Sequence, residues 1–195
     1  MTIDWPTVVT TVLGSGVVAA TVTQGLTILR ELSRRKLEGR IVALTAALTL
    51  ERFGSGCAER VADTVNHRYS DGALGKVHWR MPEMQPLKTE TDLNLLPLQV
   101  ASMLLEFQAS IDQANVDLQD ELANDHFELA MPIFLRLGEA AFELGRIVRG
   151  KMGLPSVKSR DFDIHLEYLC EEREAFEQAR QRFGNHVLFT PVLVS

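Results

Sequence analysis

The stretch DWPTVVTTVLGSGVVAATVTQGLTILRELSRRKLEGR, residues 4–40, decides how this chain is organised. From Trp5 to Leu29 it carries no charged side chain, and twelve of the 24 residues at 6–29 are Val, Leu, Ile or Ala. A helix of that length spans about 36 Å, enough to cross a hydrocarbon core of about 30 Å. We therefore predict a single transmembrane anchor over residues 1–29. The alternative, a buried helix of a soluble bundle, is disfavoured because no polar stripe runs along the segment.

A basic juxtamembrane segment, residues 30–40, follows the apolar run. Its basic side chains are Arg30, Arg34, Arg35, Lys36 and Arg40. Because they come after the apolar run, they argue against a cleaved signal peptide. The positive-inside tendency predicts an N-terminus outside and a cytoplasmic C-terminal domain, as in a bacterial inner membrane. The segment either sets topology alone or also holds anionic lipid, so membrane lipid is a predicted partner.

Small residues recur at four-residue spacing within the predicted anchor. The pairs are Ser15 with Ala19, Gly16 with Ala20, and Thr21 with Gly25. Small side chains at this spacing let two membrane helices approach closely, and lipid supplies no hydrophobic drive that could replace their contact. We therefore predict that the anchors pack against one another and that the protein is a homo-oligomer.

Residues 41–184 are predicted to form an all-α, antiparallel bundle of about four helices. The first continues from the anchor along Leu37, Ile41, Leu44 and Leu48 to Phe53, where residues 54–56 interrupt it before Cys57. The others are expected from about Asp92 or Pro97 to Ala123, over 126–149 with Pro132 kinking the helix or in its first turn, and from about Ser159 to before Gly184.

Two segments of the cytoplasmic part lack helical periodicity. Residues 70–91 read as a long loop, in which His78, Trp79 and Arg80 form a candidate partner-binding site; alternatively, Trp79 only fixes the loop to the bundle. Residues 185–195, NHVLFTPVLVS, are apolar and β-prone, and we expect an extended tail that packs on the bundle. Alternatively, the tail adds to the sheet edge of a partner or lies on the membrane.

No residue pattern indicates catalysis or metal binding. Carboxylates and imidazoles occur near one another in sequence, but none follows the Glu-x-x-His spacing of di-iron bundles. The pairs and groups concerned are Asp161 with His165, Glu139 with Glu143, and Glu121 with Asp125 and His126. Cys57 and Cys170 fit free thiols of a reducing compartment. We therefore predict no cofactor, no metal and no catalytic residue.

Charge narrows the partners further. The chain has a net charge of −6; the basic segment contributes +3 and Asp4 −1, which leaves −8 for residues 41–195. So acidic a domain repels nucleic acid. We predict a non-enzymatic, membrane-anchored interaction or scaffold module with an unknown protein partner. Two alternatives stay open: a pore-forming or holin-like membrane-active oligomer of phage or defence type, and a helical-bundle enzyme or metal protein.

Overall fold

The computed structural model describes the backbone at residues 5–85, 90–123, 130–156 and 160–183, and the side chains at 22–85, 92–123, 130–156 and 161–182. Within these ranges the chain is all-α, and four helices pack together around one core. They are α1 (Trp5–Tyr69), α3 (Leu98–Ala123), α4 (Ala130–Met152) and α5 (Arg160–Phe183), with one short turn, α2 (Glu90–Leu93), before α3. The predicted all-α bundle of about four helices is confirmed.

Helix α1 runs without interruption through residues 54–56, so the predicted break there is wrong. The glycines admit neighbours and do not end the helix. A Cβ on Gly54 would lie 2.8 Å from the ring of Phe142, and one on Gly56 would lie 3.0 Å from Cβ of Pro82. The two glycines therefore reflect close packing on two sides of α1, since a helix backbone tolerates an isolated glycine at a cost of about 1 kcal/mol.

The closest helix pair in the bundle is α1 with α4, which run antiparallel. Cys57 lies against Gly138 near one end of the pair, and Arg40 reaches Gly153 at the other. The contacting residues follow a three-then-four spacing on both helices, the pattern of interlocking helices. Many of them are small: Ala43, Ala47, Leu50, Gly54, Cys57 and Val61 on α1, facing Met131, Phe134, Gly138, Ala141, Gly145 and Val148 on α4.

The apolar face predicted for the start of this helix is not the one that the bundle buries. Leu37, Ile41, Leu44 and Leu48 are all exposed. The buried face is the neighbouring one, which begins at Gly39 and Ala43. Helix α4 approaches α1 along the line of small residues, because bulkier side chains would hold the two backbones apart.

Helices α1, α3 and α5 point in the same direction, and α4 runs against all three. The ring of Phe107 packs edge-on to Phe53 with centroids 5.6 Å apart, and the carbonyl of Leu95 lies beside Gly39. Because these contacts follow the same order along both segments, α3 runs parallel to α1. The predicted antiparallel arrangement thus holds for every pair that includes α4 but not for the others. The reason is the long connection between α1 and α3, which returns the chain to the end of the bundle near Gly39.

The remaining helix boundaries follow local signals. Pro132 lies in the first turn of α4, as one prediction had it, where its missing N–H costs nothing. Gly153 ends α4 with φ of +60°, the amide of Leu154 donates to the carbonyl of Arg149 at 2.9 Å, and that of Gly153 donates to Gly150 at 3.3 Å. This glycine-based helix end is the Schellman arrangement. The predicted tail at 185–195 lies outside the described residues.

Candidate functional site

The described residues of α1 divide into two halves with opposite surroundings. In the projecting half, residues 22–37, every side chain is exposed and extends beyond the bundle. In the packed half, residues 39–69, α1 forms the centre of the core. The sequence predicts an anchor with small residues on its surface; Gly25 has nothing within 4 Å of a built Cβ, and the side chains of Ser15, Gly16, Ala19, Ala20 and Thr21 lie outside the described part.

Large apolar side chains cover opposite faces of the projecting half. Leu26 is 51% exposed and Ile28 is 55% exposed, and two positions along a helix are about 200° apart around its axis. Val22, Leu29 and Leu32 are exposed as well. The side of α1 between Leu26 and Ile28 that lacks these residues carries Thr23, Gln24 and Thr27, so the surface before Arg30 is uncharged all round. An uncharged helix surface with large apolar side chains, which no other part of the described chain contacts, is typical of a segment in a low-dielectric environment.

The basic juxtamembrane residues begin where this apolar surface ends. Arg34 donates to Glu38 at 2.8 Å and Arg35 to Glu31 at 3.4 Å, so two of the predicted cations are neutralised within α1. Arg40 instead donates to the backbone carbonyl of Gly153 at 2.8 Å. Arg30 and Lys36 have no carboxylate partner among the described residues. The five predicted residues therefore do not act alike.

A cleft of about 550 Å³ lies where the projecting half enters the bundle; we refer to it as the rim cleft. Its charged lining residues are Lys36, Arg40 and Lys151, and none of the described residues that line it is a carboxylate. Gly39 forms its floor, where the carbonyl of Leu95 would lie 2.6 Å from a built Cβ. Sequence reasoning missed Lys151, because one lysine at a helix end gives no indication of the helix beside which it lies.

The loop after α1 is held on the bundle by several contacts. The ring of His78 lies 2.7 Å from the carboxylate of Asp63, the side chain of Gln119 donates to the carbonyl of Trp79 at 2.8 Å, and the amide of Met81 donates to Asn115 at 2.9 Å. Trp79 also packs against the core, whereas Arg80 is exposed. These contacts fix residues 78–81 in place; their role in binding a partner stays a prediction.

A buried ion pair joins the packed half of α1 to α4. Arg149 donates to both carboxylate oxygens of Glu51, at 2.6 and 3.0 Å, and its third contact is the carbonyl of Pro155 at 3.0 Å. Both side chains are about 9% exposed. Partners 98 residues apart in sequence thereby set the register of the two helices. All contacts of the pair are internal, which indicates a structural role.

The thiols and clustered acids show no arrangement for chemistry. Burial raises the pKa of the Cys57 thiol, and burial together with Glu139 raises that of Cys170, so both stay protonated and weakly nucleophilic. Glu139 pairs with Arg173 at 2.7 Å. In the part of the chain that the structure describes, no three His, Cys, Asp or Glu side chains are grouped as metal ligands would be. Asp125 and His126 lie outside that part.

Helix α1 is long and apolar enough to cross a membrane, and the core helix of a soluble bundle meets the same criterion. Within the described range Val22–Tyr69, half of the stretch that is apolar enough to cross a membrane is buried in the bundle. This stretch therefore extends into the packed half. The predicted span, residues 6–29, mostly precedes the described side chains. The surroundings of the projecting half, rather than the length of α1, are therefore what bears on membrane attachment.

No protein family, curated protein or solved structure is detectably similar to this chain.

Proposed function

We propose that this chain is a membrane-anchored helical module, in which the segment before Arg30 lies in a bilayer and the acidic bundle stands on the cytoplasmic side. One observation carries the proposal: large apolar side chains occupy opposite faces of the projecting half, and no part of the described chain covers them. Exposure of a Leu, Ile or Val side chain to water forgoes about 1.5–3 kcal/mol relative to burial. A bilayer covers all faces of the helix together.

The position of charge supports the same arrangement. The apolar surface of α1 ends at Leu29 and the cations begin at Arg30, as they do at the cytoplasmic boundary of a membrane helix. A second helix in a coiled coil covers mainly one narrow stripe, whereas the apolar side chains from Ile28 through Leu29 to Leu26 span about 160° around α1, so part of their surface would stay in water. Lipid is therefore the better occupant of this surface.

The bundle itself supports a binding role and not a catalytic one. Its thiols are held protonated, its buried Glu51–Arg149 pair is closed on itself, and its overall charge is acidic. A continuous α1 would hold such a bundle at a fixed distance from the membrane. We propose that it presents a surface to a cytoplasmic protein partner, and that the module acts by localisation.

A double substitution tests membrane attachment. Leu26→Arg/Ile28→Arg places two charges within the apolar surface of the projecting half; an Arg costs about 2.5–3.5 kcal/mol at the centre of a membrane helix and less near the boundary at Arg30, where it reaches the headgroups. The matched control is Leu105→Arg/Val116→Arg on α3, whose two side chains are exposed to nearly the same degree, 55% and 54%. We expect the wild type and the control to sediment with membranes and to resist carbonate extraction, and the projecting-half variant to become extractable.

Two outcomes would contradict the proposal. Wild-type protein that stays in the soluble fraction without detergent would mean that the projecting half is covered by protein. Equal carbonate resistance of all three proteins would mean that residues 26–28 lie outside the bilayer. Orientation is checked separately: a reporter that is active only in the cytoplasm, fused after Ser195, is expected to be active.

A further inference from the structure

We infer that the rim cleft is a binding site for the phosphate headgroup of an anionic phospholipid, with Lys36, Arg40 and Lys151 as its cationic contacts. The inference rests on the proposed membrane attachment and assigns a ligand to one surface of the module. It differs from general attraction by a basic segment, because one of the three cations, Lys151, comes from the end of α4, 111 residues beyond Arg40 in sequence.

No described carboxylate neutralises the three cations of the rim cleft. Arg40 donates to the carbonyl of Gly153 at 2.8 Å, and Lys151 donates to the side-chain amide oxygen of Gln99 at 2.7 Å. Both partners are neutral, so they hold the cations in position without cancelling their charge. Lys36 has no hydrogen bond or ion pair within the described residues. Cations positioned in advance by neutral groups bind an anion with little further loss of entropy.

The C-terminal end of α4 and the N-terminal end of α3 both lie beside the rim cleft. Cations near the end of α4 are favourable for its own C-terminal dipole, so Lys151 and Arg40 have a simpler explanation as helix-end partners. However, that dipole is equivalent to about half a negative charge, and the N-terminus of α3, which begins at Leu98 beside the cleft, contributes about half a positive charge. The two cancel approximately, and three full positive charges remain.

The rim cleft lies near the proposed boundary between the bilayer and the bundle. If the apolar surface ends at Leu29, Lys36 lies about 10 Å and Arg40 about 16 Å farther along the axis of α1. The headgroup layer is about 5–8 Å deep on each side of a bilayer, so the long, internally unbonded side chain of Lys36 reaches it, whereas Arg40 approaches it when α1 is tilted in the bilayer. Leu98, 85% exposed in the first turn of α3 next to cleft residue Pro97, provides an apolar contact on the same side.

The positive charge of the rim cleft contrasts with the acidic character of the rest of the domain. Residues 41–195 have a net charge of −8, so most of the bundle repels an anionic membrane surface. The rim cleft is the cationic exception at the end from which α1 projects. A lipid phosphate there would neutralise the cleft and orient the acidic bundle away from the bilayer, which leaves its other faces accessible to a partner.

Native mass spectrometry of the detergent-solubilised full-length protein tests the site. The probes are phosphatidylglycerol, phosphatidylcholine of the same acyl chains, and inorganic phosphate as competitor. We expect wild-type protein to retain one phosphatidylglycerol in preference to phosphatidylcholine. Lys36→Gln/Lys151→Gln should weaken phosphatidylglycerol binding about 30-fold, which corresponds to about 1 kcal/mol for each lysine. Lys36→Gln alone, which removes no internal contact, should weaken it about fivefold.

The matched control is Arg34→Gln/Arg35→Gln, which lowers the charge of the same segment by the same two units at positions that do not line the rim cleft; we expect less than about a twofold change. Equal losses in both double variants would reduce the site to a diffuse basic segment and overturn the inference. Displacement of the lipid by millimolar inorganic phosphate would make the ligand a soluble anion and overturn it as well.

Carbonate extraction of the same variants separates this inference from the proposed function. Lys36→Gln/Lys151→Gln is expected to remain as membrane-bound as wild type, because the apolar segment is unchanged. Membrane-bound protein without selectivity for phosphatidylglycerol would sink the lipid site alone. Wild-type protein that is soluble without detergent would sink the proposed anchoring, whatever the mass spectra show.

Discussion

The projecting and packed halves of α1 belong to one helix, yet the first leaves large apolar side chains exposed and the second buries a line of small residues. The projecting half exposes Val22, Leu26 and Leu29, which are large and strongly apolar. The packed half buries Ala43, Ala47 and Gly54, which are small. Hydrophobicity alone would assign the core to the wrong half. What decides burial within the bundle is the distance at which α4 can approach, and small residues minimise it.

Ionic contacts differ between the two halves in the same way. Each half takes part in an arginine–glutamate pair: Arg34 of the projecting half pairs with Glu38 in the solvent, and Glu51 of the packed half pairs with Arg149 of α4 inside the bundle. The exposed pair is hydrated whether or not it forms. The buried pair is shielded from water, so each partner depends on the other for its solvation. The comparison between the halves therefore predicts unequal consequences for chemically equal substitutions.

The largest difference is expected from arginine removal. Arg149→Met leaves the carboxylate of Glu51 buried without a partner and also frees the carbonyl of Pro155, which should destabilise the bundle by about 3–5 kcal/mol. Arg34→Met, the counterpart at the projecting half, should change stability by less than about 0.5 kcal/mol. Urea unfolding of the full-length protein in mild detergent, followed by the fluorescence of Trp79 in its contact with the core, measures both.

A double variant makes that prediction sharper. Glu51→Leu/Arg149→Met removes both charges, and it should recover most of the stability lost by Arg149→Met. If Arg149→Met alone unfolds at the wild-type urea concentration, the pair is hydrated in solution and the contrast between the two halves disappears.

Leucine truncation should follow burial and not hydrophobicity. Leu50 is 1% exposed, and Leu50→Ala should destabilise the bundle by about 2–5 kcal/mol. Leu37 is 61% exposed, and Leu37→Ala should alter stability by no more than about 0.5 kcal/mol. The same urea titration compares them. A large loss from Leu37→Ala would show that its face is covered, for example by a second copy of the chain along Ile41 and Leu44.

Glycine substitutions within α4 test the close approach of the helices. A Cβ at Gly138 would lie 2.9 Å from Cβ of Cys57 and 2.8 Å from a methyl group of Leu169, so Gly138→Ala should destabilise by about 1–3 kcal/mol. Gly150 has nothing within 4 Å, and Gly150→Ala should stabilise by about 0.5–1 kcal/mol through its helix propensity. Thermal unfolding should therefore move in opposite directions for the two alanines.

The sequence was sufficient for the helices and for much of the core. The helical period and the Gly and Pro signals placed α3, α4 and α5 within a few residues of their observed ends. Apolar residues that recur with the helical period in α3 and α4 are buried, among them Val100, Leu104, Phe134 and Val148. In these helices large apolar residues form the buried stripe, so hydrophobic periodicity and packing select the same face.

The sequence was insufficient where long-range register decides the outcome. In α1 the periodic leucines from Leu37 to Leu48 outweighed the alanines beside them, although the alanines face α4. Lys151 and Arg149 meet their α1 neighbours only because the two helices align at one register. A single sequence does not reveal such a register, since neither a lone lysine nor a lone arginine specifies a partner. The basic segment could be predicted from the sequence, but the rim cleft that it forms together with α4 could not.

The smallest expected effect concerns Glu172 of α5, which lies near Arg68 at the C-terminal end of α1. Burial raises the pKa of its carboxyl, and this outweighs the attraction of Arg68. A raised folded-state pKa means that the group favours folding at acid pH, where it is protonated, and that this contribution is lost as pH rises through the folded-state pKa. Glu172→Gln should thus stabilise the bundle at pH 7 by less than about 1 kcal/mol, because the side chain is partly solvated. Well below the ordinary pKa of a glutamate, variant and wild type should unfold alike. Glu174→Gln, at an exposed position of the same helix, removes the same charge without that burial and should show no such pH-dependent gain. Urea titrations at the two pH values decide between them: equal gains in both variants would assign the effect to the net charge of α5, whereas a gain confined to Glu172→Gln assigns it to desolvation against α1.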